Sequence, residues 1–212
     1  MHLVIKVAVL ILAYLIGSIP TSVWIGRGFY GIDIREHGSG NAGSTNAMRI
    51  LGWKAGIVVL IVDMFKGWLA VNLIHLTQFY TPETGTFITF QLMLGVAAIL
   101  GHNYTCWLYF KGGKGIATSA GVLIALVPWA LLIGLGVWVI LFVATRYVSV
   151  ASMGAAFALP FATWFTTARN PGLTAVTGVL AALAIYQHRR NLQRLLAGTE
   201  HRIEFRKKEV AP

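Results

Sequence analysis

The chain has 212 residues, of which 57% are hydrophobic and only 11% charged, with a mean hydropathy of +0.71; ordinary soluble domains carry about 25% charged residues, so this is a membrane composition. The formal net charge of +10 raises nucleic acid as a partner, but the cations sit at the ends of apolar runs and in the loops between them, where membrane topology accounts for them, and nucleic acid is set aside. A single cysteine, Cys106, excludes an internal disulfide and a multi-cysteine metal site.

The first apolar run, Leu3 to Trp24, has Lys6 near its start and no small-residue cleavage pattern at its end, and reads as a retained anchor. Gly17-Ser18-Ile19-Pro20 interrupts its last third, either as a packing kink or as one wall of a site that Ser18 or Ser22 would face. A polar loop over Gly26 to Leu51 follows. Its centre, Gly38-Ser39-Gly40-Asn41-Ala42-Gly43-Ser44-Thr45-Asn46-Ala47-Met48-Arg49, combines small residues that free the backbone to turn its N–H groups inward, hydroxyl and amide donors, and the planar cation of Arg49. That set describes an anion pocket.

A second span over Gly52 to Ile74 contains Asp63 and Lys66, three residues apart and so on one helical face. Charges at that depth are costly; they either serve a site or neutralise each other and hold the bundle. The connection Thr77 to Gly85 carries Glu83 and no Lys or Arg, and Thr86 to Leu100 is a third, short span. Gly101-His102-Asn103-Tyr104 leads to a second polar insert, Phe110-Lys111-Gly112-Gly113-Lys114-Gly115-Ile116-Ala117-Thr118, and the apolar run after it ends at Pro128. Further spans are Trp129 to Thr145, Val148 to Phe165 and, after the turn Arg169-Asn170-Pro171-Gly172, Leu173 to Tyr186.

These make seven spans, with five or six crossings and a re-entrant segment as the rival count because Ile116 to Val127 is short for a crossing. With seven, Arg27, Arg35, Arg49, Lys54, Lys111, Lys114, Arg146, Arg189, Arg190, Arg194, Arg202, Arg206, Lys207 and Lys208 share one side, Lys6 and Arg169 lie on the other, and Lys66 is inside. The asymmetry predicts an all-α helical bundle with the N-terminus outside and the C-terminus cytoplasmic. The expected organisation is one integral membrane domain over 1–212, with 199–212 as a charged cytoplasmic tail.

A third polar stretch runs from His188 to Glu200. In a helix His188 and Asn191 share a face, with Arg194 a turn later; on charge alone such a helix is an anchor on anionic lipid. Together the three inserts offer Ser39, Asn41, Thr45, Asn46, Arg49, Lys111, Lys114, His188 and Asn191 around glycine-rich backbone with almost no carboxylate, a surface suited to phosphate. Nucleotide hydrolysis does not fit: no Ser or Thr follows Lys114, and the long glycine spacing of a nucleotide loop is absent. There is no Gly-x-Ser-x-Gly elbow, no His-Glu-x-x-His and no His followed five residues later by Asp, and Ser39 has His37 nearby but no carboxylate to orient it. Catalysis by placement and charge stabilisation of a reactive substrate remains. A transporter of organic phosphates is the alternative, and a noncatalytic scaffold leaves the inserts without purpose.

His37 through Asn46, Phe110 through Thr118 and His188 through Glu200, with Gly17-Ser18-Ile19-Pro20 and Asp63-x-x-Lys66-Gly67, resemble in order the signature motifs of the bacterial acyl-phosphate:glycerol-3-phosphate acyltransferase (PlsY) family. Ser44 stands where that family more often has Ala, and the charged tail after Glu200 is longer than the pattern. The resemblance implies a seven-span protein of the bacterial inner membrane, with its site facing the cytoplasm. It implies transfer of a fatty acyl group from acyl phosphate to the 1-hydroxyl of glycerol 3-phosphate, giving lysophosphatidic acid and phosphate, with no cofactor and no metal.

Carried over by motif, Ser39, Arg49, His188 and Asn191 are the expected catalytic residues. Gly38, Gly40, Asn41, Thr45, Asn46, Lys66, Lys111, Gly112, Gly113, Lys114 and Thr118 are the expected substrate-binding ones, with Asp63 and Glu200 structural. Lys111 or Lys114 would take the glycerol 3-phosphate charge and Arg49 a share of the acyl phosphate. His188, or the leaving phosphate itself, would accept the hydroxyl proton; His102 is a lesser base candidate or a structural hydrogen bonder. The partners are the two substrates and membrane lipid, with docking of the enzyme that forms acyl phosphate as a further candidate.

Overall fold

Pro20 decides the shape of the first span, because its missing N–H and the restriction it places on Ile19 stop a helix there. In the structure, a computed structural model that describes residues 2–77 and 84–203, α1 (His2–Ser18) ends at this point and α2 (Thr21–Tyr30) leaves it at 43°. The carbonyls freed by the break find side-chain donors: Thr105 Oγ1 donates to Ser18 O, and Lys66 Nζ donates to Ile19 O at 3.0 Å. Gly31, at a φ of 68°, closes α2 in the left-handed conformation that glycine adopts without a Cβ penalty. The expected connection through Glu83 and the tail cations Arg206, Lys207 and Lys208 lie outside the described residues.

The chain divides into two compact units, Met1–Leu131 and Leu132–Pro212. The first holds α1, α2, α3 (Ser44–Leu51), α4 (Trp53–Asn72), α5 (Gly85–Asn103) and α6 (Ile116–Leu126), with short 3-10 turns at Ile34–Glu36, Leu73–Leu76 and Cys106–Leu108. α1 packs on α5, and α4 on both α6 and α5. The contacts are made by small residues, as expected where lipid is as apolar as leucine and only close backbone approach is rewarded. A Cβ at Gly17 would overlap the Ala98 carbonyl, one at Gly101 the Tyr14 carbonyl, one at Gly67 the Thr118 carbonyl and one at Gly121 the Met64 carbonyl. Gly121→Ala is therefore expected to force α4 and α6 apart and destabilise the unit by roughly 1–3 kcal/mol or more. Thermal unfolding of purified protein in detergent, beside Gly28→Ala where a Cβ meets nothing within 4 Å, checks this.

The second unit contains most of α7 (Pro128–Thr145), then α8 (Val148–Thr166), α9 (Pro171–Gln187) and α10 (Arg189–Leu196). Trp138 Nε1 donates to Ser152 Oγ at 3.2 Å between α7 and α8, and α8 packs on α9. Asn170 caps α9 by accepting from Leu173 N at 3.1 Å, in the turn that the sequence marks. Much of α7 presents apolar side chains outward, Leu132, Ile133, Leu135, Ile140 and Val143 among them, which suits a lipid-facing helix.

The described residues are all-helical, without strands. Among the described residues four helices are long and apolar enough to cross a membrane, or five with the α1–α2 pair as one broken span. Ile116–Leu126 and Pro171–Gln187 are apolar but shorter. Several elements differ from the sequence-based bounds. The first apolar run continues as helix beyond Trp24 to Tyr30. Half of the glycine-dense insert is helical, as α3, since its Ser, Thr and Asn hold the first turn while Ala47, Met48, Ile50 and Leu51 favour propagation. The third span is longer than expected, because α5 carries on through Gly101, His102 and Asn103.

Candidate active site

The first insert is built around a buried amide. Asn46, at the start of α3 and 2% exposed, accepts from Ser39 N at 3.0 Å through Oδ1, and its Nδ2 donates to Ile34 O at 2.8 Å and His37 O at 3.1 Å. Gly38 and Gly40 turn the loop at φ values of 61° and 69°. Asn46, expected among substrate ligands, thus spends both ends of its amide on shaping the loop that carries Ser39 and Asn41. Asp33 fixes the loop's entry: it accepts from Arg35 N at 3.0 Å and pairs with Arg35 and Arg27 at 2.7 and 2.8 Å. The hydrogen bonds from Arg35, with help from Arg27, hold its carboxyl far below the usual carboxylate range, so this acid adds no free negative charge to the insert. Ser39, Asn41, Thr45 and Arg49 are half-buried.

The second insert is pinned to the end of α5. Gly112 N donates to Asn103 O at 3.0 Å and Gly113 N to His102 O at 3.1 Å, after Tyr109 and Phe110 turn the chain at positive φ. This approach needs glycine, since a Cβ at Gly112 would overlap the His102 carbonyl. Gly115, at a φ of 78°, opens α6, whose first N–H groups carry the positive end of the helix dipole. Lys111 is exposed and Lys114 half-buried. Thr118 is wholly buried with an unpartnered hydroxyl.

The two inserts meet. Ala42 of the first and Gly112 and Gly113 of the second line one small polar recess with Ser18, Ile19, Pro20 and Thr21 of the broken span and with His102 and Thr105. His102 and Thr21 also belong to a buried ionic cluster. Lys66 Nζ lies 2.8 Å from Asp63 Oδ1 and 2.9 Å from His102 Nδ1, and Thr21 Oγ1 donates to Asp63 Oδ1 at 3.0 Å. Asp63 and Lys66 are 1% and 3% exposed, so their charges are met inside the protein. The sequence pointed to the pair by its spacing. It gave no signal for Thr21 as a third partner, and His102 was marked only by its polarity at the end of an apolar run.

The third insert lies in the second unit. α9 ends at Gln187, His188 sits at a break with φ −91° and ψ 5°, and α10 resumes at Arg189. His188 is 3% exposed and its Nδ1 donates to Ala184 O at 2.8 Å. That bond places the proton on Nδ1 and leaves the lone pair of the neutral ring on Nε2. Glu200 is the hub of this unit: Ser149 Oγ and Asn191 Nδ2 donate to its Oε1 at 2.8 and 2.6 Å, and Arg194 Nε to its Oε2 at 2.8 Å. Sequence reasoning missed Ser149, 51 residues from its partner.

Burial raises the Glu200 pKa, but the bonds from Arg194, Asn191 and Ser149 outweigh it and the net shift is downward. A carboxyl with a depressed folded pKa stabilises at pH above its ordinary value of 4.5, and the stabilisation drains away as pH falls through the folded value. Glu200→Gln turns an amide donor toward Arg194 Nε and is expected to cost about 1.5–3 kcal/mol near neutral pH. The gap in melting temperature between wild type and Glu200→Gln should then narrow below pH 4.5; a gap independent of pH would refute this.

Residues 7–198 match the family model described as glycerol-3-phosphate acyltransferase. The glycerol-3-phosphate acyltransferase of Fusobacterium nucleatum is 42% identical over 92% of this chain and 97% of its own. That of Chlorobaculum parvum is 42% identical over 93% and 96%. The crystal structure of PlsY (YgiH), an integral membrane glycerol 3-phosphate acyltransferase, superposes in its glycerol 3-phosphate form with a TM-score of 0.82 at 36% identity, over 94% of this chain and 96% of that one. Its lysophosphatidic acid form gives 0.80 at 36% identity. These proteins are acyltransferases, so the transporter alternative finds no support. The family match takes in the first two polar inserts whole and the third as far as Gly198, and the chain belongs to the glycerol-3-phosphate acyltransferase family.

Proposed function

We propose that this enzyme takes its acyl group from an acyl phosphate and places it on the 1-hydroxyl of glycerol 3-phosphate, giving lysophosphatidic acid and inorganic phosphate. The observation that carries the reading is the convergence of the Ala42 segment and the Gly112–Gly113 turn on one polar recess, with the carboxylates of Asp33 at the entry of the first insert and Asp63 in the buried cluster already paired to cations. Arg49, Lys111 and Lys114 then supply positive charge to two phosphorylated substrates.

The hydroxyl oxygen attacks the acyl carbon, the bond from that carbon to the phosphate oxygen breaks, and phosphate departs with the electron pair. An acyl phosphate is a mixed anhydride, so no covalent enzyme intermediate is needed. The enzyme's task is to hold the hydroxyl within about 3–3.5 Å of the acyl carbon while keeping the two anions apart. The hydroxyl proton passes to His188 Nε2, or to the leaving phosphate. Ser39, Arg49, His188 and Asn191 form the catalytic set, with Gly38, Gly40, Asn41, Thr45, Lys111, Gly112, Gly113, Lys114 and Thr118 around the substrates. Asn46 and Lys66 serve the same site through the loop and through His102.

The same reading makes the chain one functional domain of the bacterial inner membrane with seven crossings, the N-terminus outside and the inserts at the cytoplasmic rim. The cation asymmetry supports this orientation. α6, about 16 Å long for 11 residues, would cross with help from its flanking loops. Acyl phosphate can then lie along the helices in lipid with its headgroup at the rim, where an enzyme that forms it could dock.

Purified protein in lipid or detergent, given acyl phosphate and glycerol 3-phosphate without added metal or ATP, should form lysophosphatidic acid and release phosphate in equal amounts. Use of acyl-CoA in place of acyl phosphate would overturn the proposed donor. Accumulation of labelled glycerol 3-phosphate in sealed vesicles without acylated product would overturn the reaction.

A further inference from the structure

The buried cluster in the first unit has a chemical consequence that rests on the site proposed above. Lys66 Nζ has three hydrogens and no lone pair. It lies 2.8 Å from Asp63 Oδ1, 3.0 Å from Ile19 O and 2.9 Å from His102 Nδ1, so all three donors are spent. His102 Nδ1 must then be an acceptor, and the proton of the neutral ring is on Nε2. A Cβ at Gly113 would fall onto that Nε2 and within 3.0 Å of Ala42 O, which puts the N–H at the junction of the two inserts. His102 is 7% exposed and lines the recess there. Ser18, on the same recess, has a buried hydroxyl with no partner. No acceptor for Nε2 is found among the described residues, and the ring cannot turn its lone pair outward without leaving Lys66 short of a partner.

We propose that Asp63 and Lys66 lock the His102 ring so that Nε2–H is a permanent hydrogen-bond donor to an oxygen of glycerol 3-phosphate bound against Gly112–Gly113. His102 is thereby a substrate-binding residue and not a base, and Asp63 and Lys66 are positioning residues that act through it. This accounts for a buried lysine whose donors are all spent inside the protein.

Two variants separate this role from a purely structural one. In His102→Asn the side-chain oxygen can replace Nδ1 as the acceptor for Lys66, leaving no donor at the recess. In His102→Gln the amide nitrogen reaches the position of Nε2. The expected result is a KM for glycerol 3-phosphate raised about 10- to 100-fold in His102→Asn, with His102→Gln nearer wild type. His102→Asn performing as well as His102→Gln would overturn the proposal.

A second measurement needs no altered function. In ¹⁵N-histidine-labelled wild-type enzyme, the His102 ring, assigned by its loss in His102→Asn, should show a protonated Nε2 whose signal moves on saturation with glycerol 3-phosphate. Movement with inorganic phosphate as well would assign the bonded oxygen to the phosphate group; movement with glycerol 3-phosphate alone would assign it to the glycerol. A proton on Nδ1, or a signal that neither compound moves while wild type makes lysophosphatidic acid, would overturn the inference and leave the reaction standing. Failure of wild type to acylate glycerol 3-phosphate would instead remove the reading on which it rests.

Discussion

Gly112→Ala is expected to slow acylation of glycerol 3-phosphate by about 10²-fold, the scale of loss when a reacting group is held roughly 1 Å out of place. The added methyl group would overlap the His102 carbonyl oxygen and stand 2.9 Å from the Asn103 carbonyl oxygen, both backbone atoms at the end of α5. Neither can swing aside as a flexible side chain would, because both belong to the last turn of α5, and each accepts from the turn, Asn103 O from Gly112 N and His102 O from Gly113 N. The turn itself must move, carrying the Lys114 backbone with it. The loss should appear in both KM and kcat, since on the proposed reading the turn binds one substrate and orients it for attack. Gly136→Ala, where a Cβ meets nothing within 4 Å, is the matched control and should behave as wild type. A Gly112→Ala enzyme with wild-type turnover would show that the turn has no part in the site.

His188→Ala should separate the two routes for the hydroxyl proton. Its Nδ1 is committed to Ala184 O, which fixes the ring and leaves Nε2 as the basic nitrogen. If that nitrogen takes the proton, removing it costs about 10²-fold or more in kcat with little change in KM. If the leaving phosphate takes it, the variant keeps most of its kcat and pays chiefly in KM. The tautomer is the one the first result requires. It is also the opposite of the tautomer proposed for His102, where Nδ1 would accept from Lys66.

The stretches proposed to form the site stand out in the chain because a polar, glycine-rich run is conspicuous in an apolar sequence, and three of them bearing cations and few acids are what points to phosphate. Asp63 and Lys66 were legible for the same reason, as charges on one face of a span. What escaped was tertiary. Nothing local distinguishes an asparagine that binds substrate from one that braces a loop, and Asn46 proved to brace it. The third partner of Lys66 comes from another helix, and the hub at Glu200 draws on Ser149 far upstream. Helix bounds failed where polarity was taken for loop: α3 is hidden by Ser, Thr and Asn, and the end of α5 by Gly, His and Asn. The bend after Ser18 was signalled by Pro20, but its use was not, since only the fold shows that the freed carbonyls are met by Thr105 and Lys66.

The proposed reaction requires the three inserts to share one face of the membrane. Single cysteines placed at His37, Lys111 and Arg190, all exposed, in a Cys106→Ser background, can be labelled with a membrane-impermeant maleimide in sealed vesicles of known orientation. All three should react only from the cytoplasmic side. Labelling of any one of them from the opposite side would mean that no common pocket exists, and the proposed mechanism would fail with it.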